Sequence, residues 1–323
     1  MKNLEKQFKE SIQLVSEVLG ILPNQISRDL YVRTAVDYDI QPRLSCANLH
    51  KLGGFAHMRS KMFGESKVAP KVLVFDIETS PMVVYTWGLF DLRVAPSQIL
   101  EDWSVLSYAA KWLDGEEVYY EDTSKNKNPR DDSTLLSGIW KLLDDADIVI
   151  THNGTKFDSK KLNARFIQNG FQPPSKYRHF DTYRVAKSKF GFTSNKLEYI
   201  TDKLNTNSKK SQHGSYPGFA LWSACLKGDK NAWKEMKEYN IMDVISLEET
   251  ARKLMPWDNS INWSIYSGTE QCSCGSTKLT KNGYHYTNSS KFQKYRCNSC
   301  GAEFRDKKNA LEKWEKDFVR PLV

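Results

Sequence analysis

Residues 71–79 read KVLVFDIET, and this stretch carries the strongest indication of the fold. The run is apolar and rich in β-branched residues, which favours a buried β-strand. Asp76 and Glu78 lie two residues apart, so the period of a strand puts both side chains on one face. Two like charges at the end of a buried strand repel each other unless a counter-charge is present. A bound metal ion would supply that charge, and a solvent-exposed strand end is the alternative.

A second acidic position lies in the stretch 147–166, DIVITHNGTKFDSKKLNARF. The pattern predicts a short strand that ends at His-Asn-Gly and a helix that opens at Phe157 and Asp158. Gly154 would allow a close approach of the backbone. Asp158 is therefore a candidate for the same acidic site, although an acid in the first turn of a helix can also act only as a cap.

A third position lies inside the longest predicted helix, at about 229–254. The stretch 238–249, EYNIMDVISLEE, places Tyr239 and Asp243 one turn apart on a single helix face. Apolar neighbours predict that Asp243 faces inward, where an acid needs a partner. The alternative is a surface acid with a tyrosine packed one turn back.

In this order, DIET, HNGxxFD and YxxxD resemble the three motifs of the DEDD (DnaQ-like) 3′–5′ exonucleases, which have an RNase H-like fold. The resemblance covers about residues 71–255. It implies that four acids bind catalytic metal ions and that Tyr239 orients the attacking water. The histidine subclass has its base where this chain has Glu238, so the sequence resembles the tyrosine subclass. The four acids are Asp76, Glu78, Asp158 and Asp243.

Carboxylates are hard oxygen ligands, which suit Mg²⁺ or Mn²⁺. Two such ions about 4 Å apart activate a water and stabilise the leaving oxygen. Tyr239, with a reference pKa of about 10, is expected to position this water rather than deprotonate it. Asn153 is a candidate for holding the terminal nucleotide or the geometry of Asp158. Phe157 is a candidate for stacking on a base, with core packing as the alternative.

Four of the six cysteines cluster near the C-terminal end, at Cys272, Cys274, Cys297 and Cys300. Paired thiolates in a chain without a secretion signal predict one structural Zn²⁺ site. The run from 274 to 304 resembles the zinc ribbons of transposases and related DNA-binding proteins. Because the first pair is CxC where CxxC is usual, His285 is the alternative fourth ligand. Four buried free thiols are the alternative to a metal.

The basic excess of the chain lies at its two ends. The net charge of +8 divides into +3 for residues 1–70, −1 for 71–270 and +6 for 271–323. Basic ends suggest a polyanionic partner, although they can also be a solvated surface. In the ribbon, basic and aromatic residues interleave, a pattern that can follow phosphates and stack on bases. Lys281, Lys294 and Arg296 are the candidate contacts, and an ordinary ribbon with an aromatic core is the alternative.

The 323 residues predict an α/β protein of three domains. Residues 1–70 form an N-terminal helical segment, either helix-turn-helix-like or a helical brace. Residues 71–258 form an RNase H-like exonuclease domain, a mixed sheet flanked by helices, in which MVVYTWGLF (82–90) is a predicted strand. Residues 204–218 form a polar loop with Lys209, Lys210 and His213. Residues 259–323 form the zinc ribbon and a terminal helix at 310–319.

These patterns lead to one main hypothesis, a two-metal-ion-dependent 3′–5′ exonuclease of DNA whose zinc ribbon binds nucleic acid. The alternatives are a 3′–5′ exoribonuclease and a non-catalytic nucleic-acid-binding or regulatory protein. A protein partner in replication, repair or phage DNA metabolism is expected. No apolar run approaches the roughly 18 residues of a membrane span, and the N-terminus does not match a signal peptide. We therefore expect a cytoplasmic protein, bacterial or phage-encoded, with no membrane partner.

Overall fold

The computed structural model describes residues 2–20, 23, 26, 28–41, 48, 58, 62, 70–90, 93–204, 206, 214–267 and 270–312. The chain divides into two compact units, one of 1–69 with 264–270 and one of 70–263 with 271–323. None of the helices in the described ranges is both long and apolar enough to cross a bilayer. The predicted helix at 310–319 and the loop residues Lys209, Lys210 and His213 lie largely or wholly outside these ranges.

The larger unit is built on a mixed five-stranded sheet with the order β5-β4-β1-β6-β7. The central strand, β1, pairs antiparallel with β4 and parallel with β6. Strand β5 then pairs antiparallel with β4, and β7 pairs parallel with β6. This arrangement confirms the predicted RNase H-like mixed sheet. The five strands are β1 (Val72–Thr79), β4 (Val105–Trp112), β5 (Val118–Asp122), β6 (Ile148–Thr151) and β7 (Arg178–Asp181).

Helices cover both faces of the sheet, as the α/β pattern predicts. The described residues of this unit form α3 (Ser133–Asp145), α4 (Asp158–Gln168), α5 (Thr182–Lys189), α6 (Leu197–Lys203), α7 (Ala220–Leu226) and α8 (Lys230–Leu254), and α9 (Trp263–Ser267) follows.

Because side chains alternate along β1, the two faces of this strand carry different residues. Leu73, Phe75 and Ile77 join one buried apolar cluster with side chains of α3 and α4. Each such side chain, fully buried, contributes about 1.5–3 kcal/mol. The intervening positions, which include Asp76 and Glu78, therefore face the opposite side, where α8 packs on β1 and β4.

The strand predicted at 82–90 is wrong over most of its length. Only β2 (Val83–Val84) forms there, and it pairs with β3 (Ile99–Glu101) as a separate two-stranded sheet. Beyond β2, the side chains of Tyr85, Trp87 and Phe90 are exposed. A strand needs a neighbouring strand to pair with, and among the described residues none pairs with this segment beyond β2. High β-propensity alone therefore does not form a strand here.

The N-terminal unit contains α1 (Lys2–Leu19) and α2 (Arg28–Asp37). The predicted apolar face of α1 is buried, with Phe8, Ile12 and Val15 in one cluster with Tyr31 of α2. Ser11 and Tyr31 share a buried hydrogen bond of 2.7 Å between their hydroxyl oxygens. A helical segment is therefore present, and its predicted helix-turn-helix or brace role stays a prediction.

Residues 271–312 contain a three-stranded antiparallel sheet of order β10-β9-β8. Its strands are β8 (Leu279–Thr287), β9 (Ser290–Cys297) and β10 (Glu303–Asn309).

Candidate functional site

Three of the predicted acids meet where β1 and α8 pack together. Carboxylate oxygens of Asp76, Glu78 and Asp243 all lie within 4.8 Å of one another. Asp243 is buried, and the two acids of β1 are half-buried. Like charges this close repel strongly in a partly desolvated site, and a divalent cation would offset that repulsion. An all-oxygen donor set of this kind fits Mg²⁺ or Mn²⁺.

Asp158, the fourth predicted acid, is held next to this cluster rather than within it. Its Oδ1 accepts a hydrogen bond of 3.2 Å from the backbone N–H of Ile77, which lies between Asp76 and Glu78. Burial, reinforced by the nearby charge of Asp181, raises the pKa of Asp158 to about 7 although backbone N–H groups oppose this shift. A metal set of four acids thus stays a prediction.

Tyr239 lies one turn before Asp243 on α8 and faces the same acids. Burial is the largest cause that raises the pKa of Tyr239 above its usual value, and the charges of Asp243, Glu78 and Asp76 raise it further. A hydrogen bond with Asp243 acts in the same direction. The hydroxyl therefore keeps its proton at neutral pH, as a group that orients water must, and is a poor base.

Two residues that the sequence analysis missed hold the acids of β1. Asn240 is fully buried, and its Nδ2 donates to Asp76 Oδ2 at 2.8 Å while its Oδ1 accepts from Ser107 Oγ at 3.0 Å. Trp222 of α7 donates from Nε1 to Glu78 Oε2 at 3.1 Å. An amide three residues before Asp243 on the buried side of a helix was a usable signal for Asn240. No local pattern indicated Trp222.

The turn between β6 and α4 is fixed by one carboxylate. Asp181 Oδ1 accepts from the backbone N–H of Asn153 at 2.8 Å, and Oδ2 accepts from Thr155 Oγ1 at 2.6 Å. Oδ1 also caps α5 by accepting from Tyr183 N–H at 3.1 Å. Asn153 has a left-handed φ of 68°, so this turn needs such support.

Phe157, at the end of the same turn, is 40% exposed. Core packing is therefore not its role, and its contact with a base stays a prediction. The role of Asn153 in holding a nucleotide also stays a prediction, since the structure ties its backbone to Asp181.

The four clustered cysteines converge in the ribbon segment. Ligand atoms of Cys272, Cys274, Cys297 and Cys300 lie within 4.8 Å of one another. Two of the Sγ–Sγ distances are 3.2 Å (Cys272–Cys300) and 3.7 Å (Cys274–Cys297). A tetrahedral zinc with Zn–S bonds of about 2.3 Å requires Sγ–Sγ distances of about 3.8 Å. The four cysteines, Cys272 included, therefore form a donor set that could hold Zn²⁺, and the choice between Cys272 and His285 as fourth ligand stays a prediction.

The three basic candidates of the ribbon do not share one face of its sheet. Lys294 pairs across the sheet with Arg305, and Arg296 lies two residues further along β9 on the same face. Lys281 pairs with Tyr295, which places it on the opposite face. Lys294 also forms an ion pair of 3.3 Å with Glu303. Of the three candidates, only Lys294 and Arg296 can therefore contact nucleic acid from the same face.

Comparison with known proteins places the larger unit in a family. A family model described as the RNase_H superfamily matches residues 73–255. Over 141 residues the chain is 26% identical to the DNA polymerase III PolC-type of Ureaplasma parvum serovar 3. This matched region is 43% of this chain and 10% of that protein. The family B DNA polymerase from the hyperthermophilic archaeon Pyrobaculum calidifontis matches with a TM-score of 0.44 and 18% identity, covering 58% of this chain and 25% of that chain. Since the family model spans more than half of the sequence, the chain belongs to the RNase H superfamily.

Proposed function

We propose that this chain is a metal-dependent 3′–5′ exonuclease of the DEDD tyrosine subclass that acts on DNA. The observation that carries the proposal is the convergence of Asp76, Glu78 and Asp243 within 4.8 Å, with Asp158 bonded to the strand between the first two. Similarity to a protein named as a DNA polymerase favours DNA over RNA as substrate. We propose in addition a protein partner in DNA metabolism, which the similarity to a polymerase favours.

The four acids are proposed to bind two divalent metal ions. Asp76, Glu78 and Asp243 would hold a first divalent ion, and Asp158 would join them for a second. Mg²⁺ or Mn²⁺, when bound, would lower the pKa of a coordinated water and stabilise the negative charge on the leaving 3′ oxygen.

The other polar groups orient this site. Tyr239 keeps its proton, which its hydroxyl donates to Asp243, and the same oxygen would accept a hydrogen bond from the attacking water and so orient it. Asn240 and Trp222 hold Asp76 and Glu78 in the orientation the ions need.

The ribbon is proposed to bind one structural Zn²⁺ through its four cysteines and to bind nucleic acid through Lys294 and Arg296. Its sheet places these two cations on one face together with Arg305. Ion pairing of Lys294 with Glu303 weakens its contribution, so Arg296 carries more of the expected contact.

The test is degradation of a single strand labelled at its 5′ end, incubated with the protein and Mg²⁺. We expect a ladder of products that shorten from the 3′ end, with DNA cleaved faster than RNA. Asp76→Asn and Asp243→Asn should abolish the ladder, whereas Glu116→Gln, at an exposed position, should leave it intact. A wild-type protein that is inert on DNA and RNA with either Mg²⁺ or Mn²⁺ would refute the enzyme and leave the non-catalytic binding protein. Preferential cleavage of RNA would instead support the exoribonuclease.

A further inference from the structure

A cation lies between two aromatic rings beside the candidate active site. Lys161 follows Asp158 by three residues on α4, which is about 4.5 Å along the helix axis. Its Nζ lies 3.6 Å from the ring centroid of Trp103 and 5.7 Å from that of Phe157. Trp103 comes from the connection between β3 and β4, and both rings are partly exposed to solvent. We call Trp103, Phe157 and Lys161 the Trp103 cluster.

A second cation on the same helix face is already used by the fold. Arg165 lies one turn beyond Lys161, and its guanidinium binds Asp132 through two hydrogen bonds of 2.7 Å. Asp132 is buried, so this pair is structural.

Lys161 is different, because no ion pair involving it occurs among the described residues. Burial lowers the pKa of Lys161, and the nearby charge of Asp102 only partly opposes this shift. The positive charge of Lys161, three residues from Asp158 on the same helix, is therefore available to a ligand.

The chemistry of the cluster matches a single nucleic-acid strand. Lysine binds phosphate as a point charge, and exposed aromatic faces stack on bases without regard to sequence. Stacking of this kind requires bases whose faces are open, which a duplex does not provide. A purely structural cation–π contact is the alternative, and its contribution is modest at a partly exposed position.

We infer that the Trp103 cluster binds the single-stranded 3′ segment of the substrate, with a backbone phosphate on Lys161 and a base on Trp103 or Phe157. This inference rests on the proposed function and extends it, because it gives a substrate role to Trp103 and Lys161, which no motif indicated.

Equilibrium binding tests the inference without any hydrolysis. The full-length protein is titrated against a short fluorescein-labelled oligodeoxythymidylate in buffer without added Mg²⁺ or Mn²⁺, at several salt concentrations. We expect Lys161→Ala to weaken binding by about threefold to tenfold and to reduce the slope of log Kd against log salt by about 0.7. Lys161→Arg should restore most of that slope. Trp103→Leu should weaken binding by about tenfold.

Lys160→Ala is the matched control, since it removes the same charge from the neighbouring, exposed position of α4. It should leave the affinity within about twofold of the wild type. The inference is overturned if Lys160→Ala and Lys161→Ala have equal effects on affinity and slope, or if neither has any effect. Degradation assays then keep the two proposals apart. If the enzyme is active but its Lys161→Ala variant binds normally, only the inference about the Trp103 cluster is overturned. If the protein is inert but shows the expected binding pattern, only the proposed exonuclease activity is overturned.

Discussion

Each acid of β1 is held by a donor from a distant part of the chain. Asn240 fixes Asp76, and Trp222, 144 residues from its acceptor, fixes Glu78. Outer donors of this kind set the orientation of metal ligands, and mutating them typically costs about 10–100-fold in metal affinity or activity. A change that leaves every acid in place can therefore still impair the site.

The first prediction concerns Asn240. Replacing it with alanine removes one hydrogen-bond donor to Asp76 and leaves the Ser107 hydroxyl without its buried acceptor. We expect the Mn²⁺ concentration for half-maximal nuclease activity to rise by about 10–100-fold. Asn163→Ala, at an exposed position of α4, is the control. Equal metal requirements for the two variants would show that Asn240 does not position the acid.

The element that most constrains the site is the turn from β6 into α4. Gly154 packs so closely that a Cβ at this position would lie 2.4 Å from the Thr151 Oγ1. The same turn delivers Phe157 and Asp158, and Asp181 holds its other side. Backbone displacement here would therefore move the fourth acid.

The second prediction follows from this close contact. Gly154→Ala should lower the free energy of unfolding by about 1–3 kcal/mol, because the buried Thr151 side chain cannot move away without strain. Gly191→Ala is the matched control, since a Cβ there meets nothing within 4 Å. Urea denaturation measures both. Equal stability of the two variants would mean that the turn relaxes freely.

The third prediction concerns an ion pair between elements. Glu248 of α8 is buried and binds Lys111 of β4 and Arg252 one turn along its own helix. Burial opposes ionisation, but hydrogen bonds from Lys111 and Arg252 outweigh it and leave the pKa of Glu248 below its usual value. A lowered pKa in the folded state stabilises the fold above the unfolded-state value of about 4.3, and this contribution disappears as the pH falls through the folded-state pKa.

Thermal unfolding as a function of pH measures this contribution. The wild type should be more stable than Glu248→Gln near neutral pH, and the difference should shrink as the pH falls below about 4.3. Glu238→Gln, at an exposed position of α8, should show no such convergence. A difference that stays constant with pH would mean that the charge of Glu248 does not stabilise the fold.

On the scale of the whole molecule, two candidate metal sites with different donor atoms lie in separate parts of the sequence. Hard carboxylates lie in the RNase H domain, and soft thiolates lie in the ribbon. Their ligand types select different ions, so the ion of one site is not expected to replace the ion of the other site after that ion is removed.

The fourth prediction is the zinc content. Freshly purified protein should contain about one zinc per chain, and Cys297→Ser should reduce that to less than about half. Cys225→Ser is the control, because this buried thiol belongs to a different apolar cluster. Elemental analysis decides the matter, and a wild type without zinc would contradict the ribbon site.

Local periodicity was sufficient for part of this structure. Alternation along β1 was enough to predict that Asp76 and Glu78 share a face, because a strand's period is fixed by its backbone. Trp222 could not be predicted, since its contact with Glu78 depends on how α7 packs. The strand predicted at 82–90 was wrong because strand formation requires a partner edge, which sequence pattern does not reveal.

The converging acids come from the first strand and the last long helix of the RNase H domain, and this separation matters during protein synthesis. A growing polypeptide exposes Asp76 and Glu78 early, but Asp243 leaves the ribosome only after nearly the whole domain has been made. Chains that stop before α8 therefore lack one of the three converging acids. On the proposed function, an unfinished product would not degrade the DNA of the cell that makes it.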